Sequence, residues 1–100
     1  MADKELISSK EQSVKSFLYA WCAKRGKIPA YFCRASGPQH RQRFLCELRV
    51  PGVVYTACGN STSKKSSEAN AAKDFVEYLI RAGEVQAQDV PVSNNTAVYL

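Results

Sequence analysis

The stretch Gly59-Asn60-Ser61-Thr62-Ser63-Lys64-Lys65-Ser66 decides the fold, because two architectures compete for it. A glycine, four residues and then Lys-Lys-Ser stand one substitution away from a P-loop, in which a glycine-rich turn delivers a lysine and a hydroxyl to nucleotide phosphates. That loop needs a second glycine so that backbone N–H groups can wrap the phosphates, and Lys64 occupies its place. The competing reading starts a helix at Ser63. Lys64 and Lys65 then stand in a first turn whose unpaired N–H groups and positive macrodipole end already attract an anion. Lysines there are unfavourable for the helix alone and make sense when an external anion is present; a solvated pair tolerated at small cost is the plain alternative.

Working outward, the chain of 100 residues has room for one compact domain with tails, and not for the larger parallel-sheet domain in which a P-loop ordinarily sits. With 45% apolar and 23% charged residues it reads as a globular domain with a modest core. No apolar run approaches the roughly 20 residues of a membrane span. The opening MADKELISSKEQ lacks the apolar centre of a signal peptide, so a nuclear or cytoplasmic location and no membrane partner are expected. Cys22, Cys33, Cys46 and Cys58 form no C-x-x-C pair, and His40 is the only histidine. Reduced, buried thiols and no metal or other cofactor are the expectation.

The net charge of +5 is unevenly distributed. Residues 14–65 hold ten bases against Glu47 alone, whereas residues 66–100 hold two bases against five acids. Such a middle section would attract a polyanion, the bland alternative being an evenly solvated surface.

After the deciding stretch, Ala69, Ala72, Phe75, Val76, Leu79 and Ile80 continue a helix to about Ala82, with Gly83 placed to close it. Before it, AYFCRAS (30–36) and RFLCELRV (43–50) alternate as strands, with Tyr31, Cys33, Ala35, Phe44, Cys46, Leu48 and Val50 inward. VVYTAC (53–58) reads as a third strand after a Pro51-Gly52 turn of type II, although a longer connection is also compatible. Val14, Phe17, Leu18, Trp21 and Cys22 mark the core stripe of a first helix that Ser13 would cap and Gly26 and Pro29 would end. Lys15, Ser16 and Tyr19 fall on its opposite face. The order predicts an α+β domain, α-β-β-β-α, with a three-stranded antiparallel sheet and both helices on one face. Residues 1–12 and 84–100 read as flexible segments around a domain at 13–83.

GPQHRQRF followed by a third strand and then SKK opening an alanine-rich helix resembles the double-stranded RNA-binding domain. More narrowly, VKSFLYAWC, RQRFLCE, GNSTSKK and NAAKDFVEYL are similar to the first such domain of the RNA helicase A and maleless family of DEAH-box helicases. The resemblance covers roughly residues 14–91 and implies a non-catalytic module, of the kind that recruits substrate at the N-terminus of an RNA helicase, that binds double-stranded RNA by A-form shape, 2′-hydroxyls and phosphates. It places Lys15, Ser16 and Tyr19 in one minor groove and Pro38, Gln39 and His40 in the next. Ser63, Lys64 and Lys65 then meet the phosphates of the major groove between them, over about 16 base pairs.

Glu68 departs from the pattern, since many domains of this type carry a further base there, and repulsion from phosphate is expected to lower affinity. The chain is expected to be a monomer in isolation. A protein-docking or dimerisation module using the sheet or the first helix is the alternative, motivated by Glu68, Phe32 and Leu45. No catalytic constellation appears in the sequence.

Overall fold

The computed structural model describes residues 9–90. Helix α1 spans Ser9–Ala23 and strands β1, β2 and β3 span Ala30–Ser36, Arg43–Arg49 and Ala57–Ser61. Helix α2 spans Lys64–Arg81, and short 3-10 turns lie at Gln39–Arg41 and Ala87–Asp89. The sheet order is β1-β2-β3 with both pairings antiparallel, giving the expected α-β-β-β-α layout.

One core lies between the sheet and the two helices. Leu18 and Cys22 of α1, Cys46 and Leu48 of β2, Ala57 of β3 and Phe75 and Leu79 of α2 are almost fully buried together. These residues share one cluster, so both helices cover the same sheet face. Both helices also end alike. Gly26 and Gly83 adopt φ of 70° and 79°, and the following residues return hydrogen bonds, Lys27 N–H to Cys22 O at 2.9 Å and Glu84 N–H to Leu79 O at 2.9 Å. A side chain is strained at that φ, which explains glycine at each stop.

The third strand is displaced from its expected place. The Pro51-Gly52 turn forms, with Gly52 at φ 82° and Val53 N–H donating to Val50 O at 3.0 Å. Pairing with β2 resumes only at Ala57, opposite Leu48, and runs to Ser61, opposite Phe44. Residues 53–56 form a connection instead, in which Tyr55 stacks on Tyr78 at 4.3 Å and donates its hydroxyl proton to the Asp74 carboxylate. Valine and tyrosine carry the β propensity, but packing against α2 selects the weak strand former Ala-Cys-Gly-Asn-Ser. Gly59 is the reason. A Cβ on it would collide with the backbone of Ser67 and Ala71, so α2 lies directly on the strand at this point.

The expected boundaries also move. Helix α1 begins at Ser9, so Ser13 lies inside it and does not cap it; Lys10, Glu11 and Gln12 are good helix formers that extend the helix outward. At the other end the chain does not leave the domain at Gly83. Val85 packs against the core and Val90 is buried in it. The remaining parts of the two segments expected to be flexible, 1–8 and 91–100, lie outside the described residues.

The four-thiol expectation is corrected as well. Cys33 faces Cys46 across β1 and β2, and the two form a disulfide. Cys22 is a buried thiol, which burial pushes up in pKa against the pull of Arg25 and Lys27, and Cys58 is an exposed one.

Candidate nucleic-acid interface

Ser63 caps α2: its hydroxyl accepts from Ser66 N–H at 3.1 Å, and its carbonyl accepts from Ser67 N–H at 3.0 Å. The N–H groups of Lys64 and Lys65 stay unbonded among the described residues, as an anion site requires. Both lysine side chains are exposed, and neither has an ion-pair partner among the described residues. Gly59 lies buried in β3 and supplies no turn for a nucleotide, so the P-loop reading fails on geometry.

The β1–β2 connection sits at the same end of the sheet. Phe44, the second residue of β2, faces Ser61, the last of β3, so the strands deliver the connection and the α2 tip side by side. Ser67 fixes this juxtaposition. Its buried hydroxyl lies 2.8 Å from Phe44 O and 2.9 Å from Ser63 O, sharing one proton between strand and helix cap. Arg43 adds a bond at 2.7 Å to the Asn60 side chain. Within the connection, Gly37 turns the chain at φ 89° and Arg41 N–H donates to Pro38 O at 2.8 Å. The resulting single turn holds Pro38, Gln39 and His40 exposed.

The other flank of the α2 tip meets α1. Lys15 Nζ lies 2.9 Å from Glu68 Oε1, one turn along α2 from Lys64, and 5.4 Å from the centre of the Tyr31 ring. Lys15, Ser16, Tyr19, Pro29 and Tyr31 line an open cleft of about 280 Å³, with Tyr19 57% exposed. The α2 tip is therefore bonded through Ser67 to the strand that leaves the β1–β2 turn, and through Glu68 to α1. The three sequence-predicted groups lie in one continuous series on the molecule.

Two expectations change in detail. Lys15 is not a free outward cation but is half-buried in an ion pair, and Glu68 is turned toward α1 to neutralise it. Cys33 Sγ also lies 3.9 Å from Glu68 Oε2, although a disulfide sulfur has no proton to donate. Tyr31, read from the sequence as core alone, is a wall of the cleft; burial, Glu68 and Cys22 raise its pKa to about 12, so it stays a neutral donor. Alternation in β1 put its side chain on the helix side without showing that α1 leaves it partly open. Among the described residues no group of three His, Cys, Asp or Glu is placed to hold a metal ion.

The family model described as the double-stranded RNA binding motif matches residues 14–79. The chain belongs to this family. Like the family's fold, the domain is a binding module without catalytic machinery of its own. Ribonuclease 3 of Coxiella burnetii is 33% identical over 72 residues, which cover 71% of this chain and 31% of the ribonuclease. Double-stranded RNA-binding protein 6 of Oryza sativa subsp. japonica is 29% identical over 72% of this chain and 14% of its own length. This chain thus spans less than a third of the curated relatives it matches. Among solved structures, the first dsRBD of protein HYL1 superposes with a TM-score of 0.55 at 25% identity, over 65% of this chain and 93% of that one. The pair of dsRBDs of DRB4 with their linker gives 0.58 at 25% identity, over 69% and 45%.

Proposed function

We propose that this domain holds double-stranded RNA by the backbone. Lys64, Lys65 and their N–H groups receive phosphates, Ser63 supports them, and Pro38, Gln39 and His40 enter one minor groove while Ser16 and Tyr19 enter the next. Lys15 joins the second contact when it exchanges Glu68 for a ribose or phosphate oxygen. The observation that carries this reading is the unpaired cationic tip of α2, bonded on one side to the strand after the His40 turn and on the other to α1. Contacts of this kind carry no base code, so selectivity rests on A-form geometry and the 2′-hydroxyl.

Competition among an RNA duplex, a DNA duplex and single-stranded RNA at one salt concentration tests it. The RNA duplex is expected to bind tightest; equal binding of the DNA duplex would overturn the shape argument. The narrower relation to the RNA helicase A family rests on the sequence segments alone, and the relatives matched are a ribonuclease and plant RNA-binding proteins, so the proposal commits to the module and not to a helicase parent. A docking or self-associating module of the same fold is the second reading, favoured by the exposed rings of Phe32 and Tyr19. Mass that rises with concentration, without duplex binding, selects it over a monomeric RNA binder.

A further inference from the structure

Both helices cover one face of the sheet, and among the described residues nothing covers the opposite face. Its residues follow from the strand register: Phe32 faces Glu47, Arg34 faces Leu45, and Arg43 and Arg49 stand at the two ends of β2. Phe32 is 56% exposed, and the guanidinium of Arg49 lies 5.6 Å from its ring centre. Phe32, Arg34, Leu45 and Glu47 line a shallow cavity of about 160 Å³. Glu47 is reached by Arg49 at 3.4 Å, which leaves Arg34 without an acid partner among the described residues.

We infer that this face binds a single-stranded RNA tail running off the duplex. The inference rests on the duplex reading above for its starting point and on the sheet for its chemistry. An exposed aromatic ring on a bare antiparallel sheet offers a stacking surface for a nucleobase, which any base can use. Leu45 supplies an apolar floor, the Glu47 carboxylate accepts from an exocyclic amine, and Arg34 is a free cation for a phosphate. The route is continuous with the duplex site, because Arg43 begins β2 directly after the His40 turn and Arg49 ends it. From Arg43 to Arg49 the strand runs about 20 Å, at about 3.3 Å per residue. Arg43 and Arg49 at the ends of this run, with Arg34 of β1 opposite Leu45 between them, outnumber the single Glu47, a charge pattern suited to a polyanion. An acidic peptide would satisfy the arginines but would have no use for Glu47.

The full chain is tested by fluorescence anisotropy against four RNAs: a blunt duplex of about 16 base pairs, the same duplex with a tail of about four nucleotides at the 5′ end, the same duplex with that tail at the 3′ end, and the tail alone. A tail at one of the two ends is expected to tighten binding at least about fivefold over the blunt duplex, the value of one stacked base. Phe32→Ala should abolish that gain while leaving blunt-duplex affinity unchanged; the ring is exposed, and circular dichroism checks that the variant folds. Equal affinity for tailed and blunt duplexes, or a gain that survives in Phe32→Ala, overturns the inference. Failure of the blunt duplex to bind strikes the duplex reading instead, and Phe32-dependent binding of the tail alone would then still support the sheet site. A glutamate-rich peptide that binds through Phe32 while the tails add nothing assigns the face to protein and overturns it.

Discussion

Lys64 and Lys65 show how position changes what two ordinary surface cations can offer an anion. On a mid-helix face they would be solvated charges; in the first turn of α2 they stand beside their own unbonded N–H groups and the positive end of the dipole. Replacing both with alanine should weaken RNA duplex binding by a similar factor whatever the sequence. The slope of log affinity against log salt should flatten by about two, roughly one for each lost phosphate contact. Gel shifts at several salt concentrations measure both, and an unchanged slope would remove the pair from the interface. At this scale the sequence was informative. SKK before an alanine-rich run marked the tip, and single-turn chemistry is written locally. Lys15 is less legible, because its partner Glu68 is 53 positions away and nothing along the chain announces the pair.

The pairing of α1 with α2 changes what Glu68 does. The expected repulsion of phosphate becomes an internal restraint on Lys15, with both side chains about three-quarters covered. Glu68→Gln should cost at most about 1 kcal/mol of stability, as a partly exposed pair does. It should also free Lys15, tightening duplex binding and steepening the salt slope by about one. Isothermal titration together with urea unfolding separates the two effects. The strands make the same point about legibility. Alternation marks β1 and β2, whereas it points to a β3 that begins too early, because Val53, Val54 and Tyr55 look more like a strand than Gly59 and Asn60 do. Helix α2 made that choice by packing on Gly59, and no local preference reports it. The Cys33–Cys46 bond likewise follows from register, which a spacing of 13 residues does not reveal.

Across the whole molecule, two features lie beyond local sequence patterns. The chain after Gly83 returns to bury Val90, so ending the protein at Gly83 should lower its unfolding free energy by about 2 kcal/mol for that valine alone. Chemical denaturation of the two lengths measures it, and equal midpoints would mean that the return segment adds nothing. Tyr31 makes a second, pH-dependent contribution. Its pKa of about 12 in the fold lies above the ordinary 10, so the stability it adds is complete below pH 10 and is lost as pH rises from 10 to 12. The unfolded chain releases that proton first, which is the sign of the effect. Tyr31→Phe should therefore decline less steeply over this window in thermal melts.

Gly59 carries one consequence beyond stability. With no side chain between β3 and the backbone of α2, strand and helix behave as a caliper without a screw, its opening fixed when the chain folds. On the proposed duplex reading, that fixed opening has to match the groove spacing as it stands. Discrimination against B-form DNA would then reside in the stiffness of a contact buried on the protein's own side, and a substitution that loosened it would blur RNA from DNA before it abolished binding to either.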